Sequence, residues 1–545
     1  MLLCVTLLQT EKQEGGSCMK NNLIPLLVLL LACLLLSPAE AALPESTSSG
    51  SAESPETQNL VFYEIFTSAF SDSNGDGTGD LPGILNRLDY LNDGNPNSET
   101  SLGIQGIWLT PVFISPSYHK YDVADYYTID PDFGTMDDLQ SLIDACHARG
   151  IRLILDLPLN HTSTQHVWFT RFRNARILHN DQNPYYNYYL CCTSDEKKPG
   201  HSYYPIQGTD FWYEANFSQD MPELNYDNEE VRRAVLDIAR FYLDMGADGF
   251  RFDAAKYIYY GDNTRSASFW LWYTEELRNT NPDIWLVAEV WDSDSITDLY
   301  YPSMNCFNFT LSQADGLIAD TAGGGNVNRY TAYVENYLNT ISSLRQGAVF
   351  VPFISNHDMD RAAGYLPDSN GRIRVAANLY LLGPGAPFIY YGEEIGLRGS
   401  RGGANTDANR RLAMRRGDED TVQDPVGSTY DKQTEATVDS MMKQSYSLLH
   451  YYRRLIALRR EHPEIVRGSY QALNIPDTKL GGFISTWEGN SVLVVHNSTG
   501  RDLSLELTDP ALQGFSQISG FIGSGSATLE GRTLTVESQT SVLLR

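Results

Sequence analysis

Four short segments of this 545-residue chain set carboxylates, histidines and an arginine directly after apolar runs. They are Asp156-Leu-Pro-Leu-Asn160-His161, Gly249-Phe-Arg251-Phe-Asp253, Ala288-Glu289-Val290-Trp291 and Phe353-Ile-Ser-Asn356-His357-Asp358. Breaking an acetal needs one group to protonate the departing oxygen and a carboxylate to meet an oxocarbenium-like carbon. In retaining enzymes those two carboxyls lie only about 5–5.5 Å apart. Asp253, Glu289 and Asp358 are the candidates, with His161, Arg251 and His357 beside them. A lone carboxylate at a strand end is more often a helix cap or an ion-pair partner. Three in this company point to glycoside chemistry.

Residues so far apart in sequence meet when each sits just past the end of a buried parallel strand, as in a (β/α)₈ barrel. The apolar runs supply eight candidate strands, at 62–66, 106–111, 151–157, 249–253, 284–290, 307–311, 349–354 and 387–391. Between them 136–149 and 228–245 read as helices, the latter with apolar residues at helical spacing. The stretch between His161 and Asp220 is aromatic, Asn-rich and without clear period, and is too long for an ordinary loop. It reads as a small subdomain, residues 162–220, inserted after the third strand. Past the helical segment 446–460 the texture changes to short alternating runs separated by Gly, Asn, Asp and Ser. The expected architecture is α/β: a (β/α)₈ TIM barrel from 61–161 and 221–462, the insert, and a C-terminal β-sandwich domain over 463–545.

A formal charge of -28 argues against nucleic acid or an anionic membrane surface as partner. The 33 Tyr and 8 Trp instead suit a neutral, hydroxyl-rich ligand with apolar ring faces. Residues 1–41 read as an export segment whose start is expected at Met19, because Glu14-Gly15-Gly16 has the look of a translated ribosome-binding sequence. The apolar run 23–36 is too short and poorly flanked to span a membrane. Two processing routes stay open: cleavage at Ala39-Glu40-Ala41, or a lipobox-like Leu30-Leu31-Ala32-Cys33 that would put a lipid anchor on Cys33. Both export the protein, and 42–60 follows as a flexible linker. Cys146, Cys191, Cys192 and Cys306 are too few and too irregularly spaced for a disulfide scaffold or a zinc site. The adjacent Cys191-Cys192 pair has no functional reading.

After the first strand comes Asp72-x-Asn74-x-Asp76-Gly77-Thr78-Gly79-Asp80, with oxygen side chains at alternate positions as a hard cation requires. Gly83 stands where an EF-hand needs glutamate, so that reading fails; an Asx-rich turn without metal is the competing one.

In their order the four segments resemble the signature regions of family 13 glycoside hydrolases, the α-amylase family. Gly106-Ile-Trp-Leu-Thr-Pro111, Tyr118-His-Lys-Tyr-Asp-Val-Ala-Asp-Tyr126, Met221-Pro-Glu-Leu-Asn225 and Gly385-Ala-Pro-Phe-Ile-Tyr-Tyr-Gly-Glu-Glu394 extend the likeness over about 61–545. The resemblance implies Asp253 as nucleophile, Glu289 as general acid/base and Asp358 as stabiliser of the distorted sugar. Arg251, two residues from Asp253 on the same strand face, would hold it ionised. Glu289 must stay protonated near neutral pH, so a drier or more anionic pocket is expected around it. His161 and His357 would donate to sugar hydroxyls, and Tyr121 would stack on the ring with His119 near it. Supporting duty within the protein is the competing role for His119 and Lys256.

By likeness to the oligo-1,6-glucosidase-like branch the loop would hold a structural Ca²⁺ through Asp72, Asn74, Asp76, the Thr78 carbonyl and Asp80. Asp253-Ala-Ala-Lys256 resembles classical α-amylases, whose lysine lies on the leaving-group side, and Met221–Asn225 resembles the intermediate subfamily. Tyr257 replaces the calcium-binding histidine of many amylases, and the 409–416 segment departs at Ala413 and Arg416. The resemblance thus implies an exported, retaining α-amylase acting on α-1,4 bonds. The alternatives are a 4-α-glucanotransferase, an exo-acting α-glucosidase or oligo-1,6-glucosidase, and a non-catalytic carbohydrate-binding relative. Retention of all three carboxylates argues against the last.

Overall fold

Seven short parallel strands form one curled sheet: β1 (Phe62–Ile65), β2 (Gly106–Leu109), β3 (Arg152–Pro158), β4 (Gly249–Asp253), β5 (Trp285–Ala288), β6 (Asn305–Cys306) and β7 (Phe388–Tyr390). Their spatial order is β6-β5-β4-β3-β2-β1-β7. The structure, a computed structural model, describes residues 60–404, 406–417, 421–475 and 479–545. The expected export segment with Met19 and Cys33, and residues 42–59 of the expected linker, lie outside the described residues.

The 349–354 run closes the ring by single parallel bridges, Phe307 to Val351 and Phe353 to Phe388. Pro352 has no N–H to give to a ladder, so this stave does not become a regular strand. The sixth strand also departs from expectation: it occupies 305–306, and 308–311 is a turn in which Asn308 Oδ1 accepts from the Leu311 N–H at 3.1 Å. The chain is nonetheless a (β/α)₈ barrel.

Alternation along each strand decides what faces the barrel axis. Phe62, Trp108, Ile154, Trp285, Val287, Phe307, Val351 and Phe388 fill the interior as one cluster. Tyr63, Ile65, Leu153, Leu155, Phe250 and Phe252 belong to the outer cluster between the sheet and its helices. Continuing the inward set by steps of two brings Glu64, Asp156, Arg251, Asp253 and Glu289 to the C-terminal mouth. Phe62 stacks on Phe388 with centroids 4.5 Å apart, and this aromatic floor blocks the barrel beneath them.

The covering helices have legible ends. Thr135 and Asp138 form a reciprocal capping box before α1 (Met136–His147), which stops short of the expected Arg149. Asn228 caps α2 (Glu229–Met245), which ends at left-handed Gly246. The insert contributes an antiparallel sheet of Cys191–Thr193, Tyr203–Pro205 and Phe211–Glu214, with the last strand central. Arg176 packs its guanidinium 3.9 Å from the Tyr186 ring centre there. Beyond the barrel a five-stranded and a three-stranded antiparallel sheet enclose Leu480, Leu493, Val495, Leu505, Leu534 and Val542. Among the described residues no helix is long and apolar enough to cross a membrane.

Gly249 opens β4 where a Cβ would stand 1.7 Å from the Trp285 carbonyl oxygen on β5. Gly249→Ala should force apart the two strands that carry Asp253 and Glu289. A lowered thermal midpoint, equivalent to about 1–3 kcal/mol of overpacking or more, is expected by calorimetry.

Candidate active site

Arg251 organises the mouth of the barrel. Its side chain is fully buried, and its Nη1 donates to Asp156 at 2.9 and 3.0 Å and to Asp253 Oδ1 at 2.6 Å. Its Nη2 lies 3.1 Å from Glu289 Oε2 as an ion pair, without hydrogen-bond geometry. The Trp108 ring packs 4.9 Å from the guanidinium carbon. One cation therefore touches three carboxylates that come from three neighbouring strands. Just past β4, Ala254 adopts a left-handed conformation (φ 49°), an uncommon and strained one for a residue with a Cβ. That turn aims its N–H at Glu289 Oε2, 3.0 Å away.

A second charged group adjoins the first through Tyr121. The Tyr121 hydroxyl donates to Asp156 Oδ2 at 2.8 Å and lies 2.7 Å from His357 Nε2. The His357 and Tyr121 rings lie nearly parallel, with centroids 5.4 Å apart and planes 10° from each other. His357 Nδ1 meets Glu64 Oε1 at 2.6 Å, and its Nε2 lies 3.1 Å from Asp358 Oδ2. Asp358 Oδ1 accepts from Arg411 Nη2 at 2.6 Å, and a second arginine nitrogen, Nη1, donates to Tyr118 at 3.0 Å.

These contacts separate the acidities. Burial pushes Glu289 up to about 7; Arg251 opposes this, while Asp253 and Asp358 add to it. Burial also raises Asp253, with Arg251 pulling it back, to about 6. Asp358 is held well below the usual carboxylate range, because His357 and Arg411 outweigh its burial. His357 is raised to about 10, its burial overcome by Asp358 and Glu64. Between about pH 6 and 7 the set therefore favours a protonated Glu289 beside ionised Asp253 and Asp358. That is the division of labour an acetal cleavage needs.

The remaining expected residues take specific places. Lys256 Nζ donates to the Trp291 carbonyl at 2.7 Å and to Asp292 at 2.9 Å, tying the turn after β4 to the loop after β5. Trp291 stacks on Phe309 with centroids 5.2 Å apart and still exposes 40% of its surface, two residues past Glu289. His161 is buried, and its Nε2 lies 3.2 Å from the Tyr121 carbonyl. Burial pushes its ring down to about 4, so it is neutral with one N–H; Nε2 faces this carbonyl, and Nδ1 faces Asn160 Oδ1, 3.2 Å away. His119 Nδ1 accepts from the Tyr121 N–H at 3.1 Å. Both histidines thus lie against the backbone that carries Tyr121.

In the 72–80 loop Asp72 accepts from the N–H groups of Asn74, Gly75 and Gly77, and Asp76 accepts from that of Thr78. Asp80 caps the following turn through Gly83 and also accepts from Ser73. The donor set is all oxygen, the chemistry that suits a hard cation. Among the described residues no three carboxylate, imidazole or thiol groups gather as a metal-holding set, so Asn74 and the Thr78 carbonyl would have to complete one.

Three residues of the site escaped the sequence reading. Asp156 was visible as the opening of a quoted segment but carries the inner half of the Arg251 clamp. Glu64 was signalled only by being an acid in the otherwise apolar run 62–66. Arg411 lies in the segment noted for its departures, and only the fold turns it onto Asp358.

A family profile described as alpha amylase, catalytic domain, matches residues 64–468. Alpha-amylase 3 of Dictyoglomus thermophilum is 32% identical over 460 residues, 81% of this chain and 85% of that protein. A 4-alpha-glucanotransferase of Thermotoga neapolitana is 28% identical over 476 residues, 82% of this chain and 97% of that protein. The solved structure of Amy13B from Eubacterium rectale superposes with a TM-score of 0.83 at 31% identity, covering 89% of this chain and 95% of its own.

Activity that needs Asp253 ionised and Glu289 protonated rises with pH through the first acidity and falls through the second. The profile of kcat/KM should therefore be a narrow bell with limbs near pH 6 and 7. Arg251→Lys weakens the contact that lowers Asp253, so its acid limb should move to higher pH while kcat falls about 100-fold or more. Initial rates across pH 4–9 check both.

Proposed function

The chain belongs to the α-amylase family of glycoside hydrolases and acts on glycosidic bonds of α-glucans, and from that premise we propose that it is a retaining α-amylase cleaving α-1,4 bonds in starch and maltodextrins. Asp253 attacks the anomeric carbon while Glu289 protonates the departing glycosidic oxygen, leaving a glycosyl ester on Asp253. Glu289, now ionised, then takes a proton from water as that water attacks the same carbon, which restores both groups. Asp358, kept anionic by His357 and Arg411, accepts hydrogen bonds from the hydroxyls of the distorted sugar. The observation that carries this reading is the shared guanidinium. Contacts of 2.6 Å to Asp253 and 3.1 Å to Glu289 keep the two carboxyls close, as double displacement requires.

The choice of α-amylase within the family rests on Asp253-Ala-Ala-Lys256 and on the likeness to Alpha-amylase 3. A second reading, transfer of the glycosyl group to a sugar, is favoured by one feature. Trp291 presents an exposed aromatic face close to Glu289, where an acceptor ring would compete with water. Export belongs to the proposal too, and is supported by residues 1–41 alone.

Residues 42–545 incubated with soluble starch, maltotriose and pullulan should release mixed maltooligosaccharides from starch at early times. Longer chains from maltotriose would instead identify a transferase, and glucose alone an exo-acting glucosidase. Asp253→Asn should lose about 10⁴-fold or more in kcat while still binding maltooligosaccharide; an active variant would overturn the nucleophile.

We also propose a structural Ca²⁺ in the 72–80 loop, held by Asp72, Asn74, Asp76, the Thr78 carbonyl and Asp80. Titrating calcium into chelator-treated protein should show saturable heat and a raised thermal midpoint, both abolished by Asp72→Asn with Asp76→Asn. No heat and an unchanged midpoint would leave the loop as a self-closed Asx turn.

A further inference from the structure

Glu64 reaches the site from beneath. It lies on β1 with its side chain 2% exposed, in the layer of the barrel that points at the mouth. Its Oε1 receives two contacts from one residue, the His357 ring Nδ1 at 2.6 Å and the His357 backbone N–H at 3.3 Å. The opposite ring nitrogen, Nε2, faces two oxygens. One is Asp358 Oδ2 at 3.1 Å. The other is the Tyr121 hydroxyl at 2.7 Å, whose own proton goes to Asp156. That hydroxyl can only accept from His357, because its donor is already committed to a carboxylate that receives Arg251 and Trp108 as well. Nε2 must then carry a proton. With Glu64 ionised, Nδ1 faces a carboxylate oxygen that already accepts an N–H, and it too carries a proton.

We infer that Glu64 is a positioning residue that makes His357 a permanent imidazolium, and that through this cation it keeps Asp358 ionised and aimed into the cleft. With Glu64 ionised, the bonding pattern places both protons on the ring, and the raised pKa of His357 agrees with it. The charged and titratable groups that face the ring come from several elements. From β1 comes Glu64, from the loop after β2 Tyr121 and His119, and from β3 Asp156 behind Tyr121. Arg251 comes from β4, Asp358 from the ring's own segment, and Arg411, whose Nε donates to the His357 carbonyl at 3.1 Å, from the loop after β7. The carboxylates adjacent to the ring nitrogens are Glu64 and Asp358, so removing the charge of Glu64 removes half of the ring's direct counter-charge. Buried and short of that charge, the imidazole would lose a proton within the working pH range. Asp358 would then lose its nearest cation except Arg411. The kinetic part of this inference rests on the proposed roles of Asp253, Glu289 and Asp358. The protonation of His357 does not.

The test pairs ring ¹⁵N NMR of the whole protein, with His357 assigned by its loss in His357→Asn, against the pH dependence of kcat/KM. In the unmodified protein both His357 nitrogens should show the protonated shift from pH 6 to 8. In Glu64→Gln one of them should titrate within that range, and kcat/KM should gain a further loss of about tenfold per pH unit on its alkaline side. Glu64→Asp, which keeps the charge, should restore the doubly protonated ring and the original slope. A singly protonated His357 in the unmodified protein, or a doubly protonated one in Glu64→Gln, would overturn the inference. If Glu64→Gln does not fold, the unmodified protein and Glu64→Asp decide it alone. An inactive enzyme with a doubly protonated His357 would instead count against the catalytic roles and leave Glu64 in place.

Discussion

A buried cation among carboxylates is the constraint on which this active site depends. Arg251 has no exposed surface, and removing a guanidinium from water costs several kcal/mol unless paired charges and hydrogen bonds replace the solvent. Asp156, Asp253 and Glu289 replace it, and each is fixed by strand alternation on a different barrel strand. The arrangement is mutual: without Arg251 three acids would repel one another at the barrel mouth, and without them Arg251 would be buried unpaired. The aromatic floor beneath makes the pairing strong by excluding water from one side.

The site divides into two charged halves joined by Tyr121. On one side burial raises Glu289 to about 7 against the pull of Arg251, which is shared among three acids. On the other, His357 and Arg411 both bear on Asp358 and hold it ionised. Carboxyl groups of one site thus acquire different acidities from their burial and from the cations and carboxylates around each one. The strained backbone at Ala254 belongs to the same design, since its N–H is a donor to Glu289 that no side chain has to supply.

Much of this was legible in the sequence, because the acting residues stand next to the apolar runs that position them. Asp253, Glu289 and Asp358 were identifiable from strand ends alone, and β4 has the bounds read from its alternation. The supporting residues were less visible for physical reasons. Glu64 is one acid in an apolar strand, and nothing local says that its partner is 293 positions away. Arg411 acts across the barrel mouth from a loop whose course the sequence does not fix. Sheet edges misled in a different way. Apolar composition cannot tell a strand from a buried turn, so 308–311 was included, and Pro352 reduced a predicted strand to isolated bridges. His161 has one ring nitrogen 3.2 Å from the Tyr121 carbonyl, a partner that no sequence pattern announces.

The central claim is that Asp253, clamped by Arg251, forms the covalent bond to the sugar. Its most direct test is to trap that bond with a 5-fluoro-α-glycosyl fluoride, whose fluorine slows the second displacement, and to map the adduct by peptide mass spectrometry. The account predicts one glycosyl group per chain, attached to Asp253, formed and released with kinetics that show it to be an intermediate. An adduct on Glu289 or Asp358, or turnover that inverts the anomeric centre with no adduct, would contradict it.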